Sequence, residues 1–157
     1  MNVEIFSIGT ELLLGDIVNT NAQYIASKLA ELGLSSYHQT TVGDNPKRLE
    51  EALKTSLKRS DIILCTGGLG PTSDDLTKEI VAKIAGLHLV LDEASLERIQ
   101  NYFSFKSQEM PYNNHKQAMI PEGAQVLTNL QGTAPGILLE IDHKIIILMP
   151  GVPHEMK

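Results

Sequence analysis

Asp61-Ile62-Ile63-Leu64-Cys65-Thr66-Gly67-Gly68-Leu69-Gly70-Pro71-Thr72-Ser73-Asp74-Asp75 is the stretch on which the fold turns. Its first part is an almost unbroken apolar run, the pattern of a strand buried on both faces. Three glycines follow within four residues. A helical period then carries Leu76, Ile80, Val81 and Ile84 inward and ends at Gly86. A covered strand, a glycine turn and a helix in that order point to a parallel α/β sheet.

Working outward, Val3 to Ile8 reads as a first strand closed by Gly9-Thr10. A helix is predicted from about 21 to 32, with Ala22, Ile25, Ala26, Leu29 and Leu32 on one face. Thr20 and Gln23 have capping-box spacing at its start, and Gly33 suits its end. Residues Ser35 to Val42 are β-prone and reach the turn Gly43-Asp44-Asn45-Pro46. Pro46 opens a second helix capped by Asn45, with Leu49, Ala52, Leu53, Ser56 and Leu57 facing inward. Asp92 is expected to cap a further helix carrying Leu96, Ile99 and Phe103. The polar segment from Ser104 to Asn114 is irregular, and a short helical piece is expected around His115 to Met119. Val126 to Thr128 reads as a strand, and Ile137–Ile141 with Lys144–Leu148 as a hairpin turning at Asp142-His143.

The expected fold is a three-layer α/β/α domain, a mostly parallel sheet with an antiparallel edge hairpin, filling residues 1–157 as a single domain. Pro150-Gly151-Val152-Pro153-His154-Glu155-Met156 resembles a turn entering a helix, with too few residues behind it to sustain one. The expectation is therefore that Lys157 closes a fragment truncated at its C-terminus.

Composition narrows the function classes. An apolar share of 42% with 20% charged residues is that of a soluble globular domain. The net charge of -6 comes without a basic cluster, which argues against nucleic acid as a partner. Cys65 is the one cysteine, so no internal disulfide can form. The N-terminus lacks a basic segment followed by a long apolar one, and the longest apolar run, Ile145 to Met149, is too short for a membrane span. The expected location is the cytoplasm.

The glycine turn is where chemistry is expected. Glycines let backbone approach a ligand and take positive φ, and amides at a helix start attract anions. In open parallel sheets such turns lie at the ligand crevice. No Gly-Lys-Ser/Thr follows, and Ser73 occupies the third glycine position of a dinucleotide fingerprint, so neither known phosphate motif applies. The structural alternative is a tight strand-to-helix turn with Thr72 and Asp75 forming a capping box. Further glycine-flanked segments strengthen the ligand reading: Gly9-Thr10-Glu11 with Gly15-Asp16, Gly43-Asp44-Asn45, and Gly132-Thr133-Ala134-Pro135-Gly136.

Carboxylates near a diphosphate repel it unless a cation intervenes, and the neighbouring counter-charges are only Lys47, Arg48 and Lys78. A divalent cation binding one or two carboxylates plus phosphate oxygens resolves the conflict. Asp75 is assigned as metal ligand, Asp44 as second ligand or water base, and Asp74 as a further ligand or a partner of the helix dipole. Gly67, Gly68, Gly70, Thr72 and Ser73 are assigned to phosphate, with Gly9, Thr10, Glu11, Gly132 and Thr133 completing the ligand contacts. The structural alternative for Asp44 is an Asx-type turn before Asn45 and Pro46. The five histidines show no zinc spacing. Cys65 reads as a core residue, and Tyr102, Phe103 and Phe105 are too few for a stacking platform.

These blocks, together with Pro150-Gly151-Val152-Pro153-His154-Glu155-Met156, resemble in order and nearly end to end the N-terminal domain of the CinA (competence/damage-inducible) family. Its fold is that of the molybdopterin-binding domains of MogA, MoaB and MoeA. The resemblance implies a pterin phosphate at the Thr-Gly-Gly loop, with aspartates matching Asp44 and Asp75 in metal insertion. Alternatively it implies ADP-ribose pyrophosphatase activity with Mg, Mn or Co. It also implies self-association as a dimer or trimer. The C-terminal deamidase domain of longer members is not represented in this sequence. Three functions stay open: hydrolysis of a nucleotide sugar, pterin binding or transfer, and a non-catalytic nucleotide-binding or oligomerising module.

Overall fold

Four short runs rich in β-branched residues build the parallel part of the sheet, and the helices between them supply its cover. A computed structural model describes residues 1–157. In chain order the elements are β1 (Asn2–Ile8), α1 (Thr10–Leu14), α2 (Thr20–Glu31), β2 (Ser35–Val42), α3 (Pro46–Arg59), β3 (Ile62–Thr66) and α4 (Thr77–Ala85). There follow β4 (Leu89–Leu91), α5 (Glu93–Phe105), a 3-10 segment (Tyr112–Ala118), β5 (Met119–Pro121) and β6 (Gln125–Leu127). The chain closes with β7 (Gly136–Ile141), β8 (Lys144–Met149) and α6 (Pro153–Met156).

The main sheet has six strands in the order β2-β1-β3-β8-β7-β6. β2, β1, β3 and β8 are mutually parallel, while β7 and β6 run antiparallel. The hairpin is thus not a simple edge: its second strand is inserted beside β3, in register from Ile62↔Ile145 to Thr66↔Met149. Asp142 and His143, with φ of 49° and 64°, make the left-handed turn between its strands. β4 and β5 form a separate antiparallel pair.

Alternation along the strands sorts the core into two layers. On one face Phe6, Ile63, Cys65, Ile146 and Leu148 pack with Leu49 and Leu53 of α3 and Ile80 and Val81 of α4. On the other, Val3 and Ile5 pack with Ala22, Ile25 and Leu29 of α2, and Met156 of α6 joins them. The three-layer α/β/α domain expected from the sequence is the observed one. No helix is long and apolar enough to cross a membrane.

Several local expectations need correction. Asn19, not Thr20, caps α2, its side chain accepting from the Ala22 amide at 3.0 Å. Helix α4 begins at Thr77 rather than directly behind the glycines, and no side chain caps it. Thr72 and Asp75 close a turn of their own instead, so they form no capping box. The third sheet strand of the C-terminal half is Gln125–Leu127, one residue earlier than read. The last residues do form a single helical turn, because the Glu155 and Met156 amides both donate to Val152 O at 3.0 Å and Met156 is packed on the core.

Candidate functional site

Parallel strands deliver their following loops to one edge of the sheet. Here the loops after β1, β2, β3 and β8 meet around a single cleft of about 620 Å³. Of the residues assigned from sequence, Gly9, Glu11, Asp44, Gly67, Gly68, Gly70, Thr72, Asp74, Asp75 and Thr133 line it. Asp44 and Asp75 therefore share one cavity. Thr10 stands behind Asp44, lining instead a neighbouring hollow of about 580 Å³ with Gly43 and Arg48. Ser73 is exposed outside the cleft, Gly132 faces a separate small pocket, and Asp16 lines neither large cavity.

The floor of the cleft is backbone. Gly67 and Gly68 take φ of 104° and 68°, which turns the chain sharply off β3. A Cβ at Gly67 would overlap the carbonyl oxygen of Ile8, and one at Gly68 would overlap Thr77 Oγ1. Behind this turn the amides of Gly68, Leu69 and Gly70 donate to no acceptor within the protein. The donors offered to an anion are thus consecutive loop amides, a nest, rather than the helix start expected from sequence.

Two residues hold that loop from behind. The Leu69 carbonyl accepts from Gln117 Nε2 at 3.3 Å, and the Thr72 carbonyl from Lys116 Nζ at 2.7 Å. Lys116 Nζ also donates to the Asp75 carbonyl, and the Lys116 carbonyl in turn accepts from Lys78 Nζ. Lys78 is buried, and burial pulls its ammonium down to about 8 although Glu79 opposes the change. Lys78 therefore supports the loop from behind and does not line the cleft.

Each cleft carboxylate is positioned by a short-range partner. Asp75 Oδ2 accepts from the Thr72 amide at 3.0 Å and from Thr72 Oγ1 at 2.5 Å. Its carboxylate lies against Gly70, where a side chain would collide with it. Asp44 Oδ2 accepts from the Thr10 amide and hydroxyl. Glu155, which the sequence reading did not assign, lies over Gly132 and accepts from Asn129 Nδ2 at 2.8 Å.

A second unassigned residue is Asn21, in the first turn of α2. Thr66 Oγ1 donates to Pro150 O at 3.0 Å and so accepts from Asn21 Nδ2 at 2.8 Å. The same Nδ2 donates to Gly151 O at 2.7 Å, tying α2 to the loop after β8. Asn21 Oδ1 has no hydrogen-bond partner. Nothing in the apolar period of the helix marks this residue, although its neighbour Asn19 could have been found as the cap.

The side chains around the cleft include Glu11, Asp44, Asp74, Asp75 and Glu155, and no Lys, Arg or His. The acids are spread out: no three His, Cys, Asp or Glu side chains converge as a group fit to hold a metal ion. Asp44, Asp74 and Asp75 therefore form no preformed three-ligand set, and Thr10 and Thr72 each hold one oxygen of Asp44 and Asp75 respectively. Asp44 and Asp75 each retain one oxygen without a protein donor, the hard carboxylate type that suits Mg²⁺ or Mn²⁺ shared with phosphate and water. Cys65 is fully buried, and burial pushes its thiol far up, so it is no nucleophile.

Residues 4–157 match the family described as "Probable molybdopterin binding domain". A relative from Caldicellulosiruptor bescii, named for competence-damage inducibility, is 59% identical over all 157 residues. The chain spans 38% of the length of that relative. The crystal structure of the protein CinA from Thermoplasma acidophilum is similar with a TM-score of 0.90 and 36% identity, covering 99% of this chain and 90% of that one. The molybdopterin biosynthesis enzyme MoaB of Thermus thermophilus superposes with a TM-score of 0.65 at 19% identity, covering 99% of this chain and 84% of that one, which shows a shared fold.

Proposed function

Because the chain belongs to the CinA family and its molybdopterin-binding-domain fold, we propose that it binds a phosphate-bearing small molecule, a pterin or a nucleotide, in the cleft at the strand ends. The observation that carries this reading is the run of free amides at Gly68, Leu69 and Gly70. Three consecutive donors without acceptors, in a loop braced by Gln117 and Lys116, are preorganised for a phosphoryl oxygen. Calorimetric titration with inorganic pyrophosphate, ADP-ribose and molybdopterin tests it. Saturable binding of pyrophosphate is expected, and its absence both with and without Mg²⁺ overturns the reading.

A second reading has its own support, the combination of several carboxylates with no cationic side chain around the cleft. A diphosphate entering there meets net repulsion unless a divalent cation comes with it. Asp44 and Asp75 would hold that cation through their free oxygens. The ion would polarise a phosphoryl oxygen and lower the pKa of a water. The chain's own part is to seat the phosphate on the loop amides and to orient an attacking water toward it at Asp44. The products from ADP-ribose are AMP and ribose 5-phosphate. Incubation with Mg²⁺, Mn²⁺ or Co²⁺ and chromatography for AMP decides this reading. Binding without AMP under any of the three metals returns the cleft to pterin binding or transfer.

The same proposal includes assembly as a dimer or trimer and a cytoplasmic setting, to which the single buried Cys65 is suited. Light scattering of the purified chain tests the assembly.

A further inference from the structure

The hollow next to the cleft has the reverse chemistry. It measures about 580 Å³ and is bounded by α1, the end of β2 and the first turns of α3. Asp44 lines both cavities, and Thr10, bonded to it, lines the hollow alone. Arg48 lines the hollow, whereas no Lys, Arg or His lines the cleft.

The acceptors of this lining are mostly taken. Asp44 Oδ2 accepts twice from Thr10, and Thr10 Oγ1 accepts from the Asp44 amide. Asn45 Oδ1 accepts from the Arg48 amide at 3.1 Å, and Thr40 Oγ1 from Arg59 at 3.1 Å. The carbonyls of Val42, Gly43 and Asn45 accept from the amides of Gly9, Asn45 and Leu49. The second Asp44 oxygen is the one carboxylate atom without a protein donor.

The donors, in contrast, are left over. The Arg48 guanidinium makes no ion pair and no hydrogen bond within the protein. The other arginines are both engaged, Arg59 with Glu4 and Thr40, Arg98 with Thr128 and Ser95. Asn45 Nδ2 and the Thr41 hydroxyl also line the hollow and donate to no protein atom. These are side-chain donors, because the Arg48 and Leu49 amides at the start of α3 are already bonded to Asn45. Leu13, Val42 and Ala52 supply an apolar side to the same space.

We infer that this hollow is a second binding site, for a small organic oxyanion whose oxygens bond Arg48, Asn45 and Thr41 and whose carbon body lies on Leu13 and Ala52. A guanidinium fork matches the paired oxygens of a phosphate ester or a carboxylate. The volume is in the range of about 300–1,000 Å³ that holds small organic ligands, and exceeds what a bare inorganic ion fills. The site stands apart from the glycine loop and does not rest on the reading proposed for the cleft. Its occupant lies behind the Thr10–Asp44 pair, the wall that the two cavities share.

Amide chemical shifts of the nitrogen-labelled chain, titrated with inorganic phosphate, ribose 5-phosphate and succinate, test the site residue by residue. Saturable shifts are expected at the amides of Thr41, Asn45 and Arg48 and at Arg48 Nε, with an organic probe binding more tightly than inorganic phosphate. Preference for ribose 5-phosphate assigns the site to phosphate esters, and preference for succinate assigns it to carboxylates. Arg48→Met, at an exposed position, should weaken binding by about tenfold or more, and Arg48→Lys by less. Asn45→Asp keeps a side-chain cap on α3 but turns a donor into an acceptor, and should also weaken binding. Shifts at Gly68 to Gly70, which report the cleft, should survive all three substitutions. The absence of shifts around the hollow with every probe overturns the site, as do shifts there that persist unchanged in Arg48→Met and Asn45→Asp. Shifts confined to Gly68–Gly70 overturn it while supporting the phosphate reading of the cleft. Joint loss at both places in Arg48→Met overturns it by making the hollow part of the cleft.

Discussion

Thr10 and Asp44 hold each other through three hydrogen bonds across 34 residues of sequence. Asp44 Oδ2 accepts from the Thr10 amide and hydroxyl, each at 2.8 Å, and the Asp44 amide donates to Thr10 Oγ1 at 3.0 Å. The pair fastens the loop after β1 to the loop after β2 and leaves the second Asp44 oxygen for the cleft.

Asp44→Asn tests what that oxygen does. The amide oxygen of asparagine can keep both bonds from Thr10, so stability should change by no more than about 1 kcal/mol. The charge toward the cleft is lost. Metal-dependent release of AMP from ADP-ribose should fall at least about tenfold, and Thr10→Val should weaken the metal dependence in the same direction by freeing Asp44. Unchanged turnover in both variants removes Asp44 from the chemistry.

Lys116→Met removes the clamp on the Thr72 and Asp75 carbonyls. Hydrogen bonds from a charged donor are worth about 1.5–3 kcal/mol each in partly buried settings. The expected loss is about 2 kcal/mol in urea unfolding, with weaker pyrophosphate binding because the amide nest loses its brace. Lys116→Arg should recover part of both. Full binding by Lys116→Met would show that the loop holds its shape unaided.

Gly67→Ala forces a side chain onto φ of 104° and into the carbonyl oxygen of Ile8. A cost of about 3 kcal/mol or more is expected, with a large drop in melting temperature. Gly15 also has positive φ, 78°, yet a Cβ there would meet nothing within 4 Å. Gly15→Ala should accordingly cost only about 1–2 kcal/mol, the backbone part alone. Similar costs at the two positions would deny the close packing of Gly67 on β1.

The acid limb of stability is expected to come from Glu4. This residue is fully buried, which raises its pKa, but Arg59, Thr40, Ser56 and Ser60 all donate to it and together bring it down to about 2. A folded pKa below the unfolded 4.5 means that the stabilisation is complete above that pH. It is lost as pH falls from 4.5 toward 2. Glu4→Gln should be less stable at pH 7 and flatter in that window, and Arg59→Met should cost about 3 kcal/mol at neutral pH by stranding a buried carboxylate. Urea unfolding measured from pH 7 to pH 2 checks both.

The parts of the fold that were legible in the sequence are those with a strong local period. The run from Ile62 to Thr66 and the face of α3 from Leu49 to Leu57 announce themselves. Shorter elements do not. β4 has only three residues, and Leu89, Val90 and Leu91 are a strand because Pro121, Ile120 and Met119 arrive opposite them. Residues Thr72 and Asp75 spell a capping box, but the same letters close a free-standing turn when the helix starts later, at Thr77. Likewise Asn129 and Glu155 gave no signal, since their contact across 26 residues exists only in the folded chain.

From its residues alone, the chain determines that glycine-rich turns follow the buried strands and that the sheet is mostly parallel, because hydrophobic period and backbone freedom are properties of neighbouring residues. Parallel order then brings Asp44 and Asp75 to one edge. Only the tertiary structure decides which polar atoms remain free there. The open amides of Gly68 to Gly70, the single free oxygen on each aspartate and the bracing by Lys116 and Gln117 all depend on partners far away in the chain. Hydrogen bonds are satisfied in pairs, and no local pattern records which pairs will form.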